Sequence, residues 1–227
     1  MENFIKNLIL SEGADVCGIG SIDRFSDAPK GFSPLDIWSD CKSVISLGVA
    51  IPKGLTQVSS RLIYGHFNGD ICNVVDKIES KVAKFIEQKY DCVCVPIPCD
   101  GPYEYWDEEN LIGRGLISMK HTAIACGLGS MGKNSLLVNP KFGNLLTVGA
   151  IFTNLELQPD PICKDLCLPN CHKCLDACPV QAIKDKSVNQ KLCRTNSFGQ
   201  TKRGFGTIEC NKCRVVCPLR FGVKNYK

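Results

Sequence analysis

Hydrophobic positions in the first two thirds of the chain recur with the spacings of both helices and strands. Helical spacing occurs in three segments: Phe4–Leu10, Cys72–Tyr90 and Leu116–Cys126. Strand patterns occur in four: Asp15–Ile22, Ser43–Ile51, Asp91–Ile97 and Leu145–Thr153. Because helices and strands alternate irregularly, we predict an α+β fold in which helices pack on a sheet, rather than a regular α/β fold.

The clearest predicted helix, Cys72–Tyr90, has two faces. Apolar side chains fall on one of them, at Val74, Val75, Ile78, Val82, Phe85 and Ile86. Charged side chains fall largely on the other, at Asp76, Lys77, Glu79, Lys84 and Glu87. We expect the first face to pack on the sheet and the second to face solvent.

Charge and hydropathy set limits on partners and location. The formal net charge of the 227-residue chain is only +4, which is too little to indicate nucleic-acid binding on its own. Together with the departures described at the end of this section, it leads us not to expect tRNA as a partner. The N-terminal residues lack the apolar stretch of a signal peptide, and no run reaches the length of a membrane span. We therefore expect a cytoplasmic protein with no membrane partner.

The 16 cysteines are unevenly distributed. Seven are scattered between Cys17 and Cys126, and nine are grouped between Cys163 and Cys217. The change falls near Pro159–Pro161, which is a plausible linker. We predict two domains, an α+β core at residues 1–158 that holds a cofactor or substrate, and a cysteine-rich domain at residues 159–227.

The cysteine groups have the spacing of iron–sulfur ligands. One reads C-x3-C-x2-C-x3-C-P from Cys167 to Pro179, and the other C-x2-C-x3-C-P from Cys210 to Pro218. In two-cluster bacterial ferredoxins the last cysteine of each run ligates the other cluster. The first [4Fe–4S] cluster is therefore assigned to Cys167, Cys171, Cys174 and Cys217. The second is assigned to Cys178, Cys193, Cys210 and Cys213.

Some cysteines allow other interpretations. Two zinc sites could use the same thiolates. Cys163 is left over, and either replaces Cys167 or is a free thiol. The scattered cysteines before residue 127 are expected to be buried as small hydrophobic side chains.

A glycine-rich loop and two polar residues are further site candidates. Residues 127–134, GLGSMGKN, match G-x-G-x-x-G, but a helical pattern precedes them and an apolar strand pattern follows. A phosphate loop needs the opposite order, so we predict a structural or cofactor-contacting loop. His121 and Asp107 are candidate proton donors, although a packing histidine and a solvated loop carboxylate are the simpler explanations.

The segment from His121 to Asn144, with the cysteine groups, resembles the epoxyqueuosine reductase family, which is similar to the reductive dehalogenases. The resemblance lies in GLGSMGKN at 127–134, NPKFG at 139–143, LQPDP at 157–161 and CLDACP at 174–179. It implies a nitroreductase-like α/β sandwich that binds a corrinoid, followed by a bacterial-ferredoxin-like module with two [4Fe–4S] clusters. The corrinoid would contact Gly127, Gly129, Gly132, Lys133 and Asn134. A flavin is the alternative cofactor.

The chain also departs from that family. An ungapped alignment of the glycine loops places Gly113 where the family has an aspartate proton donor, and the chain ends ten residues after Cys217. We therefore expect a shortened, divergent and oxygen-sensitive relative in which the clusters pass electrons to a corrinoid that reduces a small molecule. The alternatives are an electron carrier without its own substrate and a minimal epoxyqueuosine reductase acting on tRNA. In each case a ferredoxin or flavodoxin would supply electrons.

Overall fold

The computed structural model describes residues 1–224. Its helices are α1 Glu2–Ser11, α2 Pro34–Ile37, α3 Arg61–Tyr90, α4 Met119–Ala125, α5 Lys173–Asp176, α6 Gln190–Ser197 and α7 Lys212–Val215. Its strands are β1 Val16–Ser21, β2 Ser43–Ala50, β3 Cys94–Ile97, β4 Tyr105–Asp107, β5 Ile112–Arg114, β6 Ser130–Met131, β7 Leu137–Val138, β8 Leu146–Thr153, β9 Ile183–Lys184, β10 Ser187–Val188, β11 Phe198–Gln200 and β12 Gly206–Ile208.

The main sheet has the order β1-β2-β8-β3, and every neighbouring pair is antiparallel. The central pair β2 and β8 is in register along its full length, from Ser43 opposite Thr153 to Ala50 opposite Leu146. Both strands are buried along most of their length because helices cover both faces of the sheet. The predicted mixture of helix and sheet is confirmed.

One face of the sheet is covered by α1 and α3. The α3 residues Val75, Ile78, Val82 and Ile86 are 5% exposed or less and pack in the same cluster as Ile5 of α1. Such interdigitated aliphatic packing is the main source of stability in a domain of this kind. The helix begins at Arg61, well before the predicted Cys72, because Ser60 caps its first turn through a hydrogen bond from the Ile63 amide.

Three side chains of α3 lie opposite to their predicted positions. Val74 is 37% exposed and Phe85 is 42% exposed, so both lie at the solvent side of the apolar face. Glu79, predicted to face solvent, is 1% exposed and packs against Gly149 of β8. The glycine leaves room for the carboxyl group, because an added Cβ at residue 149 would lie 1.9 Å from Glu79 Oε1.

The cysteine-rich segment is built differently. Its helices α5, α6 and α7 have four, eight and four residues, and its strands have two or three. Its own buried apolar cluster consists of Cys178, Ala182 and Ile183, with a few half-buried neighbours. So small a core stabilises little on its own.

The predicted linker is fixed to the sheet. The Asp160 backbone amide donates to Ile19 of β1 at 2.8 Å, and its carboxylate accepts the Ile19 amide at 2.9 Å and pairs with Lys6. This pairing aligns the chain along the edge strand before it enters the cysteine-rich segment.

Among the helices of residues 1–224, none combines the length and apolar character needed to cross a membrane.

Candidate iron–sulfur site and its surroundings

Four cysteines from two distant parts of the cysteine-rich segment line one recess. They are Cys167, Cys171, Cys174 and Cys217. Gly132, Lys133 and Asn134 of the glycine loop form another part of its wall. The structure thus brings Cys217 to the other three members of the first predicted ligand set.

The second predicted set also lies together. Cys178 is buried, and Cys193 and Cys213 pack around its small core. Cys210 and Cys193 are close enough to Cys213 for their charges to act on its thiol. Cys174 of the first set acts on the same thiol, so the two groups of cysteines are neighbours.

Short helices place these thiols. Cys174 lies on α5 and Cys213 on α7, and these two helices pack against each other. Each helix is a single turn that is followed by a Cys-Pro pair, Cys178-Pro179 or Cys217-Pro218, and proline cannot continue a helix. Burial raises the pKa of Cys213 to about 11 and also raises that of Cys174 and Cys217, so these thiols become thiolates only with a compensating positive centre.

The chemistry of this donor set fits a polynuclear centre. Within residues 1–224, no group of three or more His, Cys, Asp and Glu side chains has an arrangement that could hold a single metal ion. A cube of four irons holds four thiolates around a larger volume, each on its own iron. A recess walled by four thiols is compatible with that larger group.

Cys163 is separate from these sets. It is not among the residues that line the recess, and its thiol donates to the Lys164 carbonyl oxygen at 3.3 Å. Partial burial and the neighbouring Asp165 raise the pKa of this thiol.

The scattered cysteines lie mostly in the core, as predicted. Cys41, Cys94 and Cys126 are buried, and Cys17, Cys92 and Cys99 pack against the main apolar cluster. Burial raises the pKa of Cys126 to about 12, so this thiol remains neutral and behaves as an apolar side chain.

The glycine loop connects the sheet region to the cysteines. It follows α4 and forms the hairpin β6–β7, as the order of patterns predicted. Lys133 Nζ donates to the carbonyl oxygens of Pro169 and Cys171, the latter at 3.2 Å, and the buried Asn134 Nδ2 donates to Cys213 at 3.0 Å. Both side chains hold cysteine loops in place, a role that the sequence did not predict.

The glycines of this loop permit close backbone contacts. Gly127 has a φ of +79°, and an added Cβ there would lie 2.5 Å from the Pro161 carbonyl oxygen. At Gly129 it would lie 2.3 Å from the Val138 carbonyl oxygen. The loop is therefore shaped by its own packing, and corrinoid contact by these residues stays a prediction.

The two candidate proton donors lie in polar surroundings. Asp107 accepts hydrogen bonds from the Asn110 side chain at 3.0 Å and its amide at 2.9 Å, which lower its pKa. His121 is exposed and shares a 2.7 Å hydrogen bond with Ser118, and partial desolvation and Lys120 lower its pKa. At neutral pH Asp107 is a carboxylate and His121 is a neutral imidazole. Neither side chain is therefore in its protonated form, which is the form that donates a proton.

An aromatic cluster around Arg194 was not predicted. The Arg194 guanidinium lies 5.2 Å from the ring centres of Tyr103 and Trp106, which stack on each other, and its Nη2 donates to the Tyr103 hydroxyl at 3.1 Å. Nearby, Gly113 exchanges two backbone hydrogen bonds with the Gln190 side chain, at 3.0 and 3.1 Å. These contacts attach the hairpin β4–β5 to α6. No short sequence motif predicts them.

Comparison with known proteins defines the class. No family profile matches the chain. It is 25% identical to the epoxyqueuosine reductase of Bacillus subtilis (strain 168) over 95% of this chain and 56% of the relative. It is 34% identical to the tetrachloroethene reductive dehalogenase of Desulfitobacterium hafniense over 42% of this chain and 21% of that enzyme.

The fold agrees with that class. A crystal structure of epoxyqueuosine reductase with an epoxyqueuosine-modified tRNA-Tyr stem loop superposes with a TM-score of 0.70 and 20% identity, over 96% of this chain and 65% of that chain. The protein is thus similar in sequence to epoxyqueuosine reductases and to a reductive dehalogenase, and its fold is that of an epoxyqueuosine reductase. Within that class it resembles the epoxyqueuosine reductases, as its motifs predicted. It spans about half the length of the curated relatives it matches.

These comparisons correct the expectation about tRNA. The low net charge of +4 argued against a tRNA partner. That expectation is wrong, because a structure of the same fold holds a tRNA stem loop. The physical reason is that nucleic acids contact local groups of cationic and aromatic side chains, which the charge of a whole chain does not describe.

Proposed function

We propose that the protein is a reductase of the epoxyqueuosine reductase type, with two [4Fe–4S] clusters and a corrinoid, that acts on a modified nucleoside in a tRNA stem loop. The observation that carries the proposal is the recess in which Cys217 joins Cys167, Cys171 and Cys174 beside the glycine loop. That arrangement supports a cluster bound at the junction with the sheet region. The named relatives supply the reaction and the tRNA substrate.

The architecture proposed with it is the one the resemblance implies. Residues 1–158 would be a nitroreductase-like domain and residues 159–227 a ferredoxin-like domain. The antiparallel sheet covered on both faces supports the first part, and the paired single-turn helices α5 and α7 with their Cys-Pro ends support the second.

The residues of this chain would hold the cofactors in distinct ways. The two cysteine sets supply four thiolates each, and Lys133 and Asn134 fix the loops that carry them. Bound clusters pass single electrons, and a bound corrinoid supplies a strongly reducing cobalt. Gly127, Gly129 and Gly132 remain the proposed corrinoid contacts.

A proton donor must compensate for Gly113. An added Cβ at Gly113 would lie 3.2 Å from the Tyr103 ring, so the tyrosine occupies the space beside this position. Its hydroxyl accepts a hydrogen bond from Arg194 at 3.1 Å, which fixes the phenol group beside this position. Tyr103 is therefore a better proposed donor than Asp107 or His121.

Turnover of a defined RNA tests the function. The anaerobically purified protein, loaded with iron, sulfide and cobalamin, would be given a reductant and an epoxyqueuosine-containing tRNA-Tyr stem loop. Nucleoside mass spectrometry should show queuosine. Absence of queuosine from protein with both clusters and bound cobalamin would contradict the tRNA substrate and leave a small-molecule reductase.

A matched pair of variants tests the ligand assignment. Cys167→Ser should lower the iron content from about eight to about four per chain and abolish turnover, because the recess loses a thiolate. Cys163→Ser, four positions away and outside the recess, should leave the iron content and the turnover unchanged. The reverse result would make Cys163 the ligand.

A further inference from the structure

The β11–β12 hairpin lies in the sequence between two cysteines of the second set. Cys193 lies on α6, which leads into β11, and Cys210 follows β12 after one intervening residue. The two ends of the hairpin are joined where the Glu209 amide donates to the Ser197 carbonyl oxygen at 2.7 Å. Any molecule that contacts the hairpin is therefore close to these cysteines along the chain.

The hairpin rests on the first turns of α3. Gly65 allows the contact, because an added Cβ would lie 3.1 Å from the Ile208 amide nitrogen of β12. Arg61 at the start of α3 pairs with Glu209 at 2.7 Å. The geometry between helix and hairpin is thus set by backbone contact and an ion pair.

Helix and hairpin leave an open groove between them. It contains about 1050 Å³ of empty space, including open solvent, between Leu62, Gly65 and His66 on one side and the hairpin turn on the other. Two large apolar side chains that line the groove are exposed to solvent: Leu62 at 49% and Phe205 at 63%. Exposed apolar side chains grouped around a groove are typical of an interaction surface.

The charge of the groove is positive. Lys202 and Arg203 occupy the exposed turn of the hairpin, and no acidic residue is among the groove's lining residues in the described part of the chain. The adjacent Glu209 is engaged by Arg61 and Thr207. The turn itself is ordered by hydrogen bonds from Gly204 to Thr201 and from Thr201 to Phe205, both 2.9 Å.

We propose that this groove docks a small acidic redox protein, which passes electrons to the cluster held by Cys178, Cys193, Cys210 and Cys213. This inference rests on the proposed function, because the presence of that cluster is part of it. In each encounter one electron leaves the carrier's reduced centre and one enters the cluster, with no bond made or broken. The other cysteine set lines the recess beside the glycine loop, so the electrons would pass from the cluster of Cys178, Cys193, Cys210 and Cys213 to the cluster bound in that recess.

The composition of the groove favours a protein over RNA. An apolar centre with a few cations at its rim is the usual anatomy of a protein interface. Binding along an RNA backbone depends on several phosphate contacts, and this groove offers two cations besides His66.

The test measures binding of a known acidic carrier, a plant-type [2Fe–2S] ferredoxin, to the cluster-loaded protein by calorimetry at low and high salt. The double variant Lys202→Glu/Arg203→Glu should bind at least about tenfold more weakly at low salt, with a smaller difference at high salt. Phe205→Ala should weaken binding at both salt concentrations, because it removes apolar contact area.

The matched control is Lys84→Glu, an exposed charge reversal on the same helix. Lys84 lies 19 residues after Gly65, roughly 28 Å along the helix, and the variant should bind like the unaltered protein. Unchanged binding by the double variant would overturn the proposal. So would a loss of tRNA stem-loop binding in that variant while ferredoxin binding persists. Iron content and bleaching by dithionite, measured on every sample, report separately on whether the clusters exist.

Discussion

The sheet region and the cysteine-rich segment achieve order by different means. The first buries a long list of aliphatic side chains between α1, α3 and an antiparallel sheet, whereas the second has three buried residues in its own core. Four of its thiols line a recess instead. The difference indicates that the sheet region is stabilised by its own side chains and that the cysteine-rich segment depends on what its thiolates bind.

The largest expected effect is the selective loss of structure when iron is removed. Apoprotein prepared with a chelator should lose amide protection across residues 162–224, because metal binding there replaces a hydrophobic core. The β2 and β8 amides should stay protected. Hydrogen exchange with mass spectrometry measures both regions in one sample. Equal protection of residues 162–224 in the apoprotein and the holoprotein would show that the cysteine-rich segment does not depend on iron for its structure.

The next effect lies inside the sheet region, at Glu79. Burial and the nearby Asp76 raise its pKa from 4.5 to about 9, and its Oε1 is buried without a hydrogen-bond partner in the described residues. Between these two values the folded chain keeps a proton that the unfolded chain loses. Stability should therefore fall as the pH rises, by at most about 1.4 kcal/mol per unit.

Glu79→Gln should remove this pH dependence and raise the melting temperature at pH 8. Two titratable neighbours interact with this carboxyl group: Asp76 raises the pKa of Glu79, and Glu79 in turn raises the pKa of Cys99. Both neighbours remain in the variant. Glu108→Gln, an exposed carboxylate, serves as the control. A variant whose melting temperature has the same pH profile as the unaltered protein would show that Glu79 is ionised in the fold.

The smallest of the three effects is expected at the junction between the two regions. Asn134→Ala removes the hydrogen bond to the Cys213 carbonyl oxygen from a side chain that is 6% exposed. The free energy of unfolding should fall by about 1 kcal/mol, because a half-buried acceptor loses its hydrogen-bond donor. Faster iron loss to a chelator, with an unchanged fold of the sheet region, is the expected observation. Asn110→Ala, which affects only an exposed turn, should leave the rate unchanged.

Local patterns explain which elements were predictable. The strand from Ser43 to Ala50 was found because most of its residues are apolar and Pro52 follows closely. The first turns of α3 were missed because Gly65 and Gly69 weaken the helical pattern, and the benefit of Gly65 appears only where β12 packs against it. A tertiary contact of this kind leaves no pattern in the neighbouring sequence from which it could be predicted.

The candidate site shows the same limit. The spacing of Cys167, Cys171 and Cys174 is a property of the sequence, so this part of the ligand set could be assigned before the fold was known. The role of Lys133 and Asn134 could not, because their partners lie 36 to 79 residues away. Glu79 was misplaced for a related reason, since only the glycine on a distant strand gives its carboxyl group room.

The central claim is that the two cysteine sets hold two neighbouring [4Fe–4S] clusters. Metal analysis combined with EPR spectroscopy of the anaerobically reduced protein tests it most directly. The account predicts about eight irons and eight sulfides per chain and a signal broadened by spin coupling between the two clusters. Stoichiometric zinc without iron, or one isolated cluster signal with about four irons, would contradict it.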